Sequence, residues 1–113
     1  MLSVAIITKN EAGNLEACLR SAAWAQELVV VDEFSTDGTA DLAKGLGARV
    51  FQESWKGFAG QKNSAVDKTS GDWILSLDAD ERIPLPLREE IEETMRRRDS
   101  VNGYFIARKN FFS

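Results

Sequence analysis

Short apolar runs alternate along this chain with stretches of helical spacing, and that alternation constrains the fold more than any other feature. The runs are Leu2 to Thr8, Glu27 to Asp32, Ala48 to Gln52, Trp73 to Leu77 and Tyr104 to Ala107. Runs this short and this free of polar residues suit strands covered on both faces, as in a parallel sheet. Between them, Leu15, Leu19, Ala22 and Ala23 recur at helical spacing in a segment beginning at Asn10 and Glu11. A second helix is predicted from Thr39 to Leu46, stopped by Gly47, and a third from about Ala59 to Lys68. Pro84 and Pro86 lead into a fourth, striped by Leu87, Ile91 and Met95. The order β-α-β-α-β-α-β-α-β predicts an α/β fold, a mainly parallel sheet sandwiched by helices. At 113 residues the chain reads as a single domain with one core.

Composition removes several kinds of chemistry. With one cysteine, Cys18, and no histidine, the chain has no internal disulfide, no Cys/His zinc site and no Ser-His-Asp or Cys-His nucleophile. The net charge of −4 and the lack of a basic stripe beyond Arg96-Arg97-Arg98 argue against nucleic acid as a partner. Those arginines follow Glu92 and Glu93 at i,i+4 spacing, as on a solvated helix face. No apolar stretch reaches the ~20 residues that span a bilayer. The first residues lack the charged segment of a signal peptide. A cytoplasmic protein is expected.

The stretch from Gly71 to Arg82 carries the strongest chemical signal. Its apolar run stops at Asp78 and Asp80, two acids one residue apart. In open α/β sheets, ligands gather beyond the carboxyl ends of the strands. Two acids held together there call for a cation, and Mg²⁺ is typically held by one or two carboxylates plus substrate phosphates. The alternative is a solvated Asp-x-Asp turn. Thr8 and Asp32 end the first and second runs and would share the same edge. Thr8 and Glu11 have the spacing of a capping box, with Asn10 as an alternative N-cap. Asp37 is expected to cap the second helix. Asn63 is expected to pack or hydrogen-bond, not to bind ligand.

Two related folds are disfavoured. The turn after the first run, Thr8-Lys9-Asn10-Glu11-Ala12-Gly13, has one glycine where a dinucleotide fold needs three, and no Walker A loop is present. A haloacid-dehalogenase phosphatase also follows an apolar strand with Asp-x-Asp, but early in the chain; here the motif comes late and runs into Glu81-Arg82.

Four motifs in order resemble a family 2 glycosyltransferase. They are Thr8-x-Asn10-Glu11, Val31-Asp32-x-x-Ser35-Thr36-Asp37-Gly38-Thr39, Gly60-Gln61-Lys62-Asn63 and Leu77-Asp78-Ala79-Asp80-Glu81. Gly57 to Asn63 and Asp80-Glu81-Arg82 look most like the branch with lipopolysaccharide-core glucosyltransferases. The resemblance implies the Rossmann-like, nucleotide-diphospho-sugar-binding half of a GT-A fold. It implies an inverting, metal-dependent transfer from a UDP- or GDP-linked sugar to a glycan or lipid-linked acceptor. Thr8, Asn10, Glu11, Asp32, Lys62 and Asp78 would then bind nucleotide, with Asp32 accepting from a uracil or guanine imide N–H. Asp78 and Asp80 would hold Mg²⁺ or Mn²⁺.

Phe34 departs from the pattern, standing where the family places a glycine. The resemblance puts the general base and most of the acceptor site in a second half beyond this chain, along with any peripheral contact at the inner face of a membrane. The chain is therefore expected to be truncated and to show little or no transfer alone. Its aromatic end, Phe111 and Phe112, favours association through that edge, and a non-catalytic nucleotide-binding or oligomerising module is the competing expectation.

Overall fold

The computed structural model describes residues 1–98 and 102–106. The elements run β1 (Leu2–Thr8), α1 (Ala12–Ser21), β2 (Glu27–Asp32), α2 (Thr39–Gly45), β3 (Arg49–Gln52), α3 (Gly57–Asp67), β4 (Trp73–Asp78), α4 (Leu85–Arg97) and β5 (Gly103–Ile106). They form one five-stranded sheet in the order β3-β2-β1-β4-β5, and every neighbouring pair is parallel. The α/β expectation holds.

β1 is central, and all seven of its residues are buried. Its two faces feed two cores. Leu2, Val4 and Ile6 join Val30, Leu75 and Leu77 beneath Leu15 and Leu19 of α1, Ala43 of α2, and Leu87 and Ile91 of α4. Ala5 and Ile7 join Val31 and Ala65 of α3 on the opposite face. Full burial of Leu, Ile or Val contributes ~1.5–3 kcal/mol per side chain, so the strand that feeds both cores anchors the fold.

Several boundaries differ from those expected. α1 begins at Ala12 with Glu11 at its N-cap, and neither the Thr8–Glu11 capping box nor an Asn10 cap forms. Asn10 instead adopts φ +50 and spends its side chain on the next loop. α2 closes at Gly45, and Gly47 then turns the chain at φ +91. α3 begins at Gly57, ahead of Ala59, which brings Phe58 onto the helix. β5 opens at Gly103, one residue ahead of Tyr104. On α4, Arg97 pairs with Glu93 at 3.1 Å, whereas Glu92 takes Arg88 at 3.3 Å. Ala107 and the aromatic pair Phe111 and Phe112, with the association expected of them, lie outside the described residues.

β5 is fastened by an aromatic stack. Trp73 lies against Phe105 with ring centroids 5.2 Å apart, and Gly103 is level with Trp73 in the register. A Cβ on Gly103 would stand 1.8 Å from a ring atom of Trp73, which is only 5% exposed and has little room to yield. Gly103→Ala should therefore cost about 1–3 kcal/mol, as overpacking does. A urea unfolding midpoint equal to wild type would contradict this packing.

Candidate functional site

Connection from β3 to β4 passes over β1, so the strand order reverses between β1 and β4. Ligands in open α/β sheets settle in the crevice at such a reversal. The register puts Thr8 level with Asp32 and Ile7 level with Asp78, gathering three strand ends on one edge. A cavity of about 340 Å³ opens there, within the usual range for ligand pockets. Its walls include Thr8, Lys9, Glu11, Glu33, Trp55, Phe58, Gln61, Asp78 and Asp80.

Of the residues singled out in the sequence, Thr8, Glu11, Asp78 and Asp80 share this cavity. Lys62, on the second turn of α3, joins them by placing Nζ 2.8 Å from Asp78 Oδ1. Thr8 is 8% exposed, and its Oγ1 is the one buried side-chain polar atom among the described residues with no hydrogen-bond partner. A buried hydroxyl left unpaired costs ~1–3 kcal/mol, and this one stands on the cavity wall with its hydrogen-bonding capacity unspent.

The acid loop is held from behind. Glu81 donates its backbone N–H to Asp78 O at 3.0 Å, while its Oε1 accepts the Asp78 N–H at 2.7 Å. Ala79 is buried, which pins the turn between the two aspartates. Burial pushes the Glu81 carboxyl up, opposed by the Asp78 N–H; nearby Asp78 and Asp80 push it further, and Lys62 counters them. Cys18 Sγ packs 3.7 Å from Asp78 O, and burial drives its thiol up to about 12.

Two residues expected at the nucleotide, Asp32 and Asn10, are not among those lining the cavity. Asp32 is fully buried and does not line the cavity. One oxygen accepts Ser35 N at 2.9 Å and Gln52 Nε2 at 3.3 Å, and the other accepts the Ser35 hydroxyl. So placed, Asp32 braces the β2–α2 loop and reaches β3. Asn10 is exposed, and its Oδ1 accepts Thr36 N at 2.8 Å while its own N–H bonds Ser35 Oγ at 2.7 Å. Asp37 is not the cap of α2, where Gly38 stands without a side-chain cap bond. It bonds Thr39 N at 3.1 Å and reaches Ala12 N at 3.2 Å, joining the starts of α2 and α1. Asn63 is exposed, and the buried neighbour is Gln61.

Phe34, standing where the resemblance leads one to expect glycine, adopts the left-handed φ +46 and is 56% exposed. The left-handed region costs a non-glycine residue ~1–2 kcal/mol, and little burial repays it here. Phe34→Gly should raise stability by about 0.5–1 kcal/mol, the gain being trimmed by glycine's greater unfolded freedom. A lowered urea midpoint would overturn that assignment.

The loop before α3 is stapled by Glu53, which meets Lys68 at 2.6 Å and Lys56 at 2.9 Å. Lys68, then Ser64 and Lys56, hold its carboxyl down at about 2, from an ordinary 4.5. A depressed carboxylate contributes stability that is present above its unfolded value and lost as pH falls through the folded one. Glu53→Gln should thus cost about 1 kcal/mol at neutral pH. Its deficit against wild type should shrink between pH 4.5 and about 2. Parallel urea curves for both proteins over that span would disprove it.

The fold and crevice define a nucleotide-type α/β domain with an acid pair at its switch point. The sequence model for "Glycosyl transferase family 2" matches residues 3–111, and the chain belongs to that family. It is 39% identical over 115 residues to the lipopolysaccharide core biosynthesis glycosyltransferase LpsC of Rhizobium meliloti, spanning 97% of this chain and 43% of that protein. The structure of S. aureus TarS 1-349 superposes with a TM-score of 0.74 at 24% identity, covering 87% of this chain and 33% of that one. Glucosyl-3-phosphoglycerate synthase from Mycobacterium tuberculosis, solved with Mn²⁺, UDP and glucosyl-3-phosphoglycerate, superposes at 0.62 with 26% identity, covering 73% and 35%. The chain thus spans less than half the length of these proteins.

Among the described residues, no group of three or more His, Cys, Asp or Glu side chains is arranged to hold a metal ion. The donor set fits a divalent cation that brings part of its own shell. Asp78 and Asp80 supply hard oxygens on one cavity wall, and the Asp78 carboxylate already draws an ammonium to it. No helix among the described residues is long and apolar enough to cross a membrane.

Proposed function

We propose that residues 1–113 form the donor-binding half of an inverting, metal-dependent glycosyltransferase that takes a UDP- or GDP-linked sugar to a glycan or lipid-linked acceptor. The orphaned Thr8 hydroxyl carries this assignment: it shares a cavity with Asp78 and Asp80, and Lys62 stands at the acid wall. Likeness to LpsC favours an acceptor of the lipopolysaccharide-core kind and work in the cytoplasm, at the inner face of the membrane.

Asp78 and Asp80 would hold Mg²⁺ or Mn²⁺ against the diphosphate. When bound, such a cation is a Lewis acid that stabilises charge developing on the leaving phosphate. Thr8 Oγ1 offers a hydrogen bond to the nucleotide at the base of the crevice. Lys62 supplies a positive charge that shifts from Asp78 to a phosphate oxygen, and Glu11 lines the nucleotide wall. Asp32 and Asn10 serve the same pocket indirectly by fixing the β2–α2 loop beside it. Glu81 is committed to the Asp78 N–H and is not placed to take a proton from an acceptor. The general base and acceptor site belong, in this scheme, to sequence outside these residues, and the isolated chain should show little or no transfer.

Calorimetric titration of UDP and of GDP, with and without Mn²⁺, tests the donor site. One nucleotide should bind in a Mn²⁺-dependent way, and Asp80→Ala should weaken it about tenfold or more, a loss of ~1.4 kcal/mol. Binding that ignores both the metal and the substitution would overturn the proposal, as would no binding by either nucleotide.

A further inference from the structure

The cavity has an apolar end that the donor site as described does not use. Trp55 and Phe58 are 46% and 68% exposed, yet they are not scattered surface residues. Their rings meet edge to face, 4.9 Å apart at 87°, and both line the cavity wall that also carries Lys9 and Glu33. Contiguous exposed apolar surface at the rim of a pocket marks a contact with a ligand more often than chance exposure does.

The rings are also held in place. Gln61, 1% exposed, accepts the Lys56 N–H at 3.1 Å and donates to Glu53 O at 3.5 Å, bracing the loop on both sides of Trp55. Gly57 turns into α3 at φ +83. Gly60 lets the loop lie close, since a Cβ there would come 2.8 Å from Lys56 Cβ. With the Glu53 staple beneath, the loop presents two aromatic faces at little further cost in ordering.

Distance across the sheet then selects the occupant. The loop leaves the end of β3, and the acid pair leaves the end of β4. Three strand spacings separate them, ~14 Å at the usual ~4.8 Å each. A nucleoside diphosphate with its phosphates at Asp78, Asp80 and Lys62 extends its base back over the ends of β1 and β2 toward that loop. Asp32 is engaged by its own loop, and the aromatic pair on the cavity wall offers a base an apolar surface. We propose that Trp55 and Phe58 form the stacking platform for the nucleotide base, with Glu33 and Lys9 (paired at 3.6 Å) at the ring's polar edge. This rests on the donor-site proposal above.

Stacking on an aromatic ring is sequence-tolerant, since every base has a π-face. It acts on the base alone, which separates it from the diphosphate contacts. The test titrates UDP and inorganic pyrophosphate, each with Mn²⁺, into wild type, Trp55→Ala, Trp55→Phe and Phe58→Ala. Trp55→Ala should weaken UDP about tenfold or more, the ~1.4 kcal/mol of one decade, and leave pyrophosphate unchanged. Trp55→Phe should recover most of the loss, and Phe58→Ala should repeat it in smaller degree. Equal weakening of both probes, or of neither, would overturn the platform while the metal-dependent donor site stood. Wild type that binds neither probe would remove the donor site and the platform together.

Discussion

The site depends on one constraint: β1 lies at the centre of a parallel sheet and is buried along its whole length. Because it is covered on both faces, its polar contribution is confined to its carboxyl end. β2 and β4 dock on opposite sides of it, and the connections that deliver them leave in opposite directions. The crevice opens where those connections part. Thr8 sits there with an unpaired hydroxyl because no main-chain or side-chain group among the described residues reaches that point. The central strand therefore serves both as the mechanical axis of the domain and as the floor of its pocket.

The pocket walls show how like charges are kept together. Asp78, Asp80 and Glu81 crowd one turn, and each is given a different partner or place. Asp78 has the Lys62 ammonium, at 32% and 39% side-chain exposure for the pair. Glu81 is tucked below, taking the Asp78 amide. Asp80 remains on the cavity wall. A partly exposed ion pair is a modest stabiliser, so the Lys62 ammonium is held only weakly at Asp78.

Strand content and order were legible because parallel strands buried on both faces leave nearly unbroken apolar runs, as in Val29-Val30-Val31 and Trp73 to Leu77. The Asp-x-Asp turn was legible for the same reason, as an abrupt end to such a run. Asp32 gave the same local signal but hydrogen-bonds its own loop. Whether an acid at a strand end faces a crevice or its own loop is decided by the next residues, here Ser35, and by Gln52 on the neighbouring strand. The start of α3 was hidden by Gly57 and Gly60, which weigh against a helix by propensity but are required by a positive φ and a close approach. Gln61 and the rings of Trp55 and Phe58 left no periodic trace, since their roles arise from which strand end the loop leaves.

Cys18 is the only thiol in the chain, and the packing that places it behind Asp78 also silences it. With its ionisation pushed to about 12, almost no thiolate exists at neutral pH, and the sulfur is shut away from solvent. The Cys18 thiol is thus shielded from thiol-directed reagents as the domain stands. A cysteine introduced at an exposed position of the cavity rim would be the one accessible thiol, so a thiol-directed spectroscopic reporter could be fixed beside the pocket without first removing the native residue.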